Sequence, residues 1–117
     1  MSEDRLTELR RRVAAFAAAR DWDQFHSPKN LAMALSVETS ELLEEFQWLT
    51  EPQSSSLDAE RRERVRLEMA DVLIYLLRLA DKLDVDVMRA AHDKIALNEL
   101  KYPVDRVRGS SRKYTEY

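Results

Sequence analysis

The chain has 117 residues, 44% of them apolar and 35% charged in both signs, with a net charge of −3. That is one domain with a small core, and the acidic balance excludes a nucleic-acid binder that relies on a basic surface. The absence of cysteine excludes disulfides, thiolate metal sites and cysteine nucleophiles; no run of about 18 apolar residues could span a membrane, and Met1–Arg5 lacks the basic start of a signal peptide, so a cytoplasmic enzyme or binding module is expected.

In chain order, Leu6, Leu9, Val13 and Phe16 mark one stripe of a first helix ending near Arg20. A connector, Asp21 to His26, leads to Ser27-Pro28, which reads as an N-cap with a first-turn proline. The second helix is predicted to run from Pro28 to about Leu49. Thr50 to Ser56, with Pro52 and three serines, reads as a flexible loop. A third helix is predicted over Asp58 to Leu83, and a fourth from a cap at Asp84 to about Tyr102, where Pro103 stops it. The fold class is therefore all-α, with four helices in a domain over residues 1–103 and a polar, aperiodic tail over 104–117.

Two acidic pairs interrupt this apolar patterning: Glu38 with Glu41, and Glu68 with Asp71. Residues three apart share a helix face, so each pair aims two carboxylates one way. Glu38 falls inside the stripe formed by Leu31, Leu35, Leu42, Phe46 and Leu49, with Glu41 and Glu45 beside it. Glutamate is rarely buried unless paired. On the third helix a wide apolar arc, including Met69, Leu73, Leu76 and Leu77, leaves a narrow strip holding Glu68, Asp71, Tyr75 and Arg78. Two such helices packed antiparallel gather four negative charges, which a hard divalent cation with oxygen ligands neutralises. Neither pair contains histidine, unlike the Glu-x-x-His of di-iron bundles, and an all-carboxylate set favours Mg²⁺, with Mn²⁺ as substitute. The competing reading is an acidic surface in which Glu38, Glu41 and Glu45 pair with Arg61, Arg64 or Arg66.

Gly109 is the single glycine. A Walker loop or dinucleotide fingerprint needs several, so any phosphate chemistry must use side chains and metal. On the fourth helix Lys94, Asn98 and Lys101 share a face with Val87, Ala90 and Ala91, which puts two cations and an amide on the side expected to turn inward. Carboxylates for a metal, cations for an anion and aromatic rings at Trp22, Trp48 and Tyr75 are the parts of a nucleotide phosphate site. The apolar arc of the third helix is too wide for so short a chain to cover, and an obligate oligomer is expected.

The spacing Glu38-x-x-Glu41, 26 intervening residues, then Glu68-x-x-Asp71 resembles the signature of the MazG-like all-α nucleoside triphosphate pyrophosphohydrolases. The words Arg20-Asp21-Trp22-Asp23-Gln24-Phe25-His26, Ser27-Pro28-Lys29-Asn30-Leu31, Glu45-Phe46-Gln47-Trp48, Asp71-Val72-Leu73-Ile74-Tyr75-Leu76 and Asn98-Glu99-Leu100-Lys101-Tyr102-Pro103 are similar to the dCTP pyrophosphatase branch, and so is the tail from Gly109 to Tyr114. The resemblance spans nearly the whole chain and implies a four-helix MazG-like bundle assembling into a homotetramer. It implies Mg²⁺-dependent hydrolysis of a nucleoside triphosphate, with a preference for dCTP or a modified dCTP, to the monophosphate and pyrophosphate.

By that resemblance Glu38, Glu41, Glu68 and Asp71 hold the metal. Trp22, His26, Trp48 and Tyr75 form the base and sugar pocket, with Asn98 near the nucleotide, and Lys94 and Lys101 contact phosphates. Lys101 stands where some relatives carry arginine, a swap that weakens bidentate recognition. Glu41 or Glu45 is the candidate general base. The alternatives are a dUTP-directed or broad-specificity enzyme, and a non-enzymatic oligomeric adaptor.

Overall fold

The computed structural model describes residues 2–112 and 115. Its helices are α1 (Ser2–Ala19), α2 (Pro28–Glu44), α3 (Glu51–Ser54), α4 (Ala59–Lys82), α5 (Val87–Lys101) and α6 (Val104–Val107), with a 3₁₀ turn at Asp23–Phe25 and no strand among the described residues. The four long helices are those expected from the patterning. Contacts divide the chain into two units, Met1–Asp84 and Val85–Tyr117. No helix among the described residues is long and apolar enough to cross a membrane.

In the first unit α2 packs along α4, and α1 also lies on α4. The α2–α4 pair is antiparallel: Glu45, just past the end of α2, meets Arg61 at the start of α4, while His26, just before α2, meets Arg78 near the end of α4. Caps account for where the helices begin. Ser27 accepts from the Asn30 amide at 3.2 Å with Pro28 following, as expected, and Asp58 accepts from the Arg61 amide at 2.7 Å.

Three boundaries differ from expectation. The second helix stops at Glu44 rather than Leu49, and turns carry the chain through residues 45–48. The expected loop contains α3, because Thr50 and Gln53 form a reciprocal capping box around Pro52. The fourth long helix is capped by Asp86, which accepts from the Arg89 amide at 3.0 Å, and not by Asp84, whose φ of +54° puts it in the left-handed turn that follows α4. In the expected tail, α6 forms one helical turn; residues 113, 114, 116 and 117 lie outside the described residues.

The buried apolar residues are Ala17, Leu31, Val65, Leu77 and Ala80. In α1, Ala17 rather than Phe16 takes the buried position, and Phe16 turns outward into an edge-to-face pair with Trp22, ring centroids 5.7 Å apart. On α4 the narrow polar strip is not solvated: Glu68, Asp71 and Tyr75 are half-buried and Arg78 is buried; of the apolar arc Leu77 and Ala80 are buried, while Met69, Leu73 and Leu76 are exposed.

Candidate functional site

Glu38 and Glu41 on α2 face Glu68 on α4, and one carboxylate oxygen from each lies within 4.8 Å of the others. All three side chains are half-buried, and Glu38 Oε2 and Glu68 Oε2 are buried with no hydrogen-bond partner among the described residues. Asp71 is the one expected ligand outside this close triad, yet its negative charge acts on both Glu38 and Glu68. The packing puts these acids here because the Glu38 position belongs to the same α2 stripe as Leu31 and Leu35, and the Glu68 position to the same α4 face as buried Val65.

The electrostatic consequence is plain. Burial pushes the Glu38 carboxyl up to about 7, reinforced by the neighbouring Glu41 carboxyl and by the charges of Asp71 and Glu68. Glu68 is raised as well, by burial first and then by the neighbouring Glu41 carboxylate and the charges of Asp71 and Glu45. Buried carboxylate oxygens without partners are rare in folded chains. A divalent cation satisfies both orphans and cancels the repulsion, and the all-oxygen donor set suits Mg²⁺ or Mn²⁺. The residues present therefore fit the metal.

This arrangement sets a pH dependence. The folded-state pKa of Glu38, about 7, lies above its ordinary 4.5, so its contribution favours folding below about pH 4.5 and is lost as pH rises toward 7. His26 works in the opposite sense: its pKa is lowered from 6.5, so stability is gained as pH rises through that range. Without divalent metal, the difference in melting temperature between Glu38→Gln and the parent chain is expected to widen in favour of the variant between about pH 5 and pH 8. Excess Mg²⁺ should close that gap at the alkaline end, since only ionised carboxylates bind the cation. Scanning fluorimetry across pH, with and without Mg²⁺, measures both; a gap independent of pH contradicts the assignment.

Glu45 follows the competing reading. Its carboxylate accepts from Arg64 Nε at 3.2 Å and from Arg61 Nη1 at 3.4 Å, and Arg61 Nη1 also reaches the Glu45 carbonyl at 2.5 Å. Arg66 instead pairs with Glu63. Thus of the three α2-side acids only Glu45 forms the expected arginine pairing, and Glu38 and Glu41 remain aimed at α4.

Among the expected pocket residues, Trp22 is 45% exposed and Trp48 87%, so neither is a core aromatic in this chain. Tyr75 is half-buried on the same α4 strip as the acids, and His26 is half-buried beside Arg78. In the second unit Lys94 and Lys101 on α5 are exposed and Asn98 is half-buried. Sequence reasoning put Arg78 on the strip but gave it no task. Its signal was position: Glu68, Asp71, Tyr75 and Arg78 recur at helical spacing on one face.

The MazG-like family matches residues 33–117. The dCTP pyrophosphatase 1 of Homo sapiens is 47% identical over 116 residues, 97% of this chain and 68% of that protein. The protein of the same name from Rattus norvegicus is 46% identical over the same shares. Among solved structures, a pyrophosphatase from Archaeoglobus fulgidus DSM 4304 superposes with a TM-score of 0.80 at 40% identity, covering 85% of this chain and 93% of that one.

Proposed function

The chain belongs to the MazG-like family and is a nucleoside triphosphate pyrophosphatase; we propose that it is Mg²⁺-dependent and that its substrate is dCTP or a modified dCTP. Water attacks the α-phosphorus, the bond to the β-phosphate oxygen breaks, and dCMP and pyrophosphate leave. The observation that carries the metal reading is the carboxylate triad with its two orphaned oxygens. The cytosine preference is supported by the names of the similar relatives.

Glu38, Glu41, Glu68 and Asp71 hold the cation. When bound, it neutralises triphosphate charge and polarises a phosphoryl oxygen. Glu41 is the favoured general base over Glu45, whose carboxylate is engaged by two arginines. Lys94 and Lys101 are assigned to phosphate charge, Asn98 and Tyr75 to the nucleoside, and Trp22, Trp48 and His26 to the base and sugar. A homotetramer is part of the same reading, supported by the exposed Leu67, Met69, Leu73 and Leu76 on α4; Mn²⁺ is expected to substitute for Mg²⁺.

The test is pyrophosphate release from each dNTP with and without Mg²⁺. Release from dCTP in preference to the others, abolished by chelation, is the expected result. Release without base preference points to a broad-specificity enzyme, preference for dUTP to that alternative, and no release from any nucleotide to a non-enzymatic adaptor. A second expectation concerns Trp48. Its ring is 87% exposed, so truncation costs the monomer little packing, and Trp48→Ala should raise KM severalfold while kcat changes less, as for uniform binding. Steady-state kinetics with an unchanged KM would remove Trp48 from the pocket.

A further inference from the structure

Arg78 is a buried charge on a small domain, at 5% exposure. Its guanidinium donates from Nε to His26 Nδ1 at 3.1 Å, from Nη1 to Asp81 at 3.1 Å, and from Nη2 to Asp23. Lys82 Nζ reaches the same Asp23 oxygen at 2.6 Å, and Arg10 approaches Asp81 at 3.7 Å. Its acidic partners are partly exposed, Asp23 at 58% and Asp81 at 33%, and ion pairs that close to water add little net stability, so this network calls for a reason other than stability.

What the network holds is the connector between α1 and α2. The Trp22 amide donates to the Ala17 carbonyl at 2.9 Å, and Asn30 Nδ2 donates to the Phe25 carbonyl at 3.0 Å. Arg78 and Lys82 add the third anchor, tying Asp23 and His26 to α4. The segment is thus fixed to all three long helices of its unit, yet it leaves Trp22 and Phe25 exposed, at 45% and 60%.

The contact with His26 also decides its protonation. A guanidinium has donors only, so Nδ1 must offer its lone pair, and the ring proton of the neutral imidazole sits on Nε2. The charged groups acting on this ring are Arg78, Lys82 and Asp23; burial first, then the two cations, disfavour a second proton, against the pull of Asp23. His26 so held is a donor and not a base.

We propose that Arg78 is a positioning residue for nucleotide recognition: it pins the Trp22–His26 segment to α4 and fixes His26 as an Nε2–H donor for a carbonyl or hydroxyl oxygen of the nucleoside. This rests on the reading that the chain takes a nucleoside triphosphate. It assigns His26 to orientation and removes it from proton transfer during hydrolysis.

The test combines imidazole ¹⁵N spectra with kinetics on the full chain. The parent protein should show the Nε2–H tautomer at neutral pH. Arg78→Lys keeps a charge near Asp23 but loses the Nε donor; it should abolish the tautomer preference and raise KM for the preferred dNTP about tenfold, with kcat within about threefold. His26→Ala should raise KM similarly, and the double variant with Arg78→Lys should be no worse than His26→Ala alone, because the lysine keeps a charge at Asp23 and what Arg78→Lys loses is the donor to His26. An unchanged KM in Arg78→Lys, or multiplicative effects in the double variant, would overturn the proposal. So would a parent spectrum with the proton on Nδ1, a measurement that needs no variant to fold. Failure of the parent chain to release pyrophosphate from any dNTP would instead sink the nucleotide reading, while the ring spectrum still reads the Arg78–His26 clamp separately.

Discussion

Glu38→Ala is expected to lower pyrophosphate-releasing turnover by at least about a hundredfold, a loss of roughly 2.7 kcal/mol in transition-state stabilisation, while the helical circular-dichroism signal persists. The two halves of this expectation come from the same geometry. Glu38 contributes one of three carboxylate oxygens lying within 4.8 Å of each other, and its Oε2 has no hydrogen-bond partner among the described residues. Removing it breaks the cation's ligand set but breaks no internal hydrogen bond at that oxygen, and it relieves repulsion from Glu41, Asp71 and Glu68. Loss of activity should therefore come without loss of fold, and with a melting temperature in metal-free buffer at or above that of the parent. Asp71→Ala should fall by a similar factor, although it stands outside the close triad, because its charge acts on both Glu38 and Glu68. Near-normal turnover in both variants would remove the metal-site assignment.

Leu77→Ala is expected to cost about 3 kcal/mol of stability, the middle of the range for a buried leucine once transfer and cavity terms are added. Leu77 is 1% exposed on the face of α4 that packs in the first unit, and only five apolar residues are buried among those described. With so few residues in the core, the loss is a large share of a typical domain's stability. Urea denaturation read by circular dichroism should show a lower midpoint with little change in slope, and the melting temperature should fall by roughly 10 °C. An exposed leucine on the same helix, Leu73, provides the control: Leu73→Ala leaves no cavity in the chain and should cost far less. Equal losses for the two would show that the outer face of α4 is also covered in solution, as a tetramer would require.

The acidic chemistry was legible because helical spacing is a local property. Glu38 and Glu41, and Glu68 and Asp71, were each bound to share a face once their segments were helical, and the leucines around Glu38 marked that face as one that packs. Chain order and flanking words carried the family, and the Ser27-Pro28 cap fixed the start of α2. Local signals misled where two of them competed: Pro52 and its serines suggested a loop, but the Thr50–Gln53 capping box made a helical turn.

What the sequence alone determined, then, was the helical class, the four long helices and the acids that would be asked to meet. Which side of α4 turned inward was decided only in three dimensions. The strip of Glu68, Asp71, Tyr75 and Arg78 is half-buried or buried together with Leu77 and Ala80 of the apolar arc, while Met69, Leu73 and Leu76 of the same arc are left exposed. Likewise Glu45, indistinguishable from its neighbours by type, was drawn to Arg61 and Arg64, and Arg78 to His26 and Asp23, more than fifty residues away. Such pairings depend on the antiparallel register of α2 against α4, a long-range relation for which periodicity within a single helix carries no information.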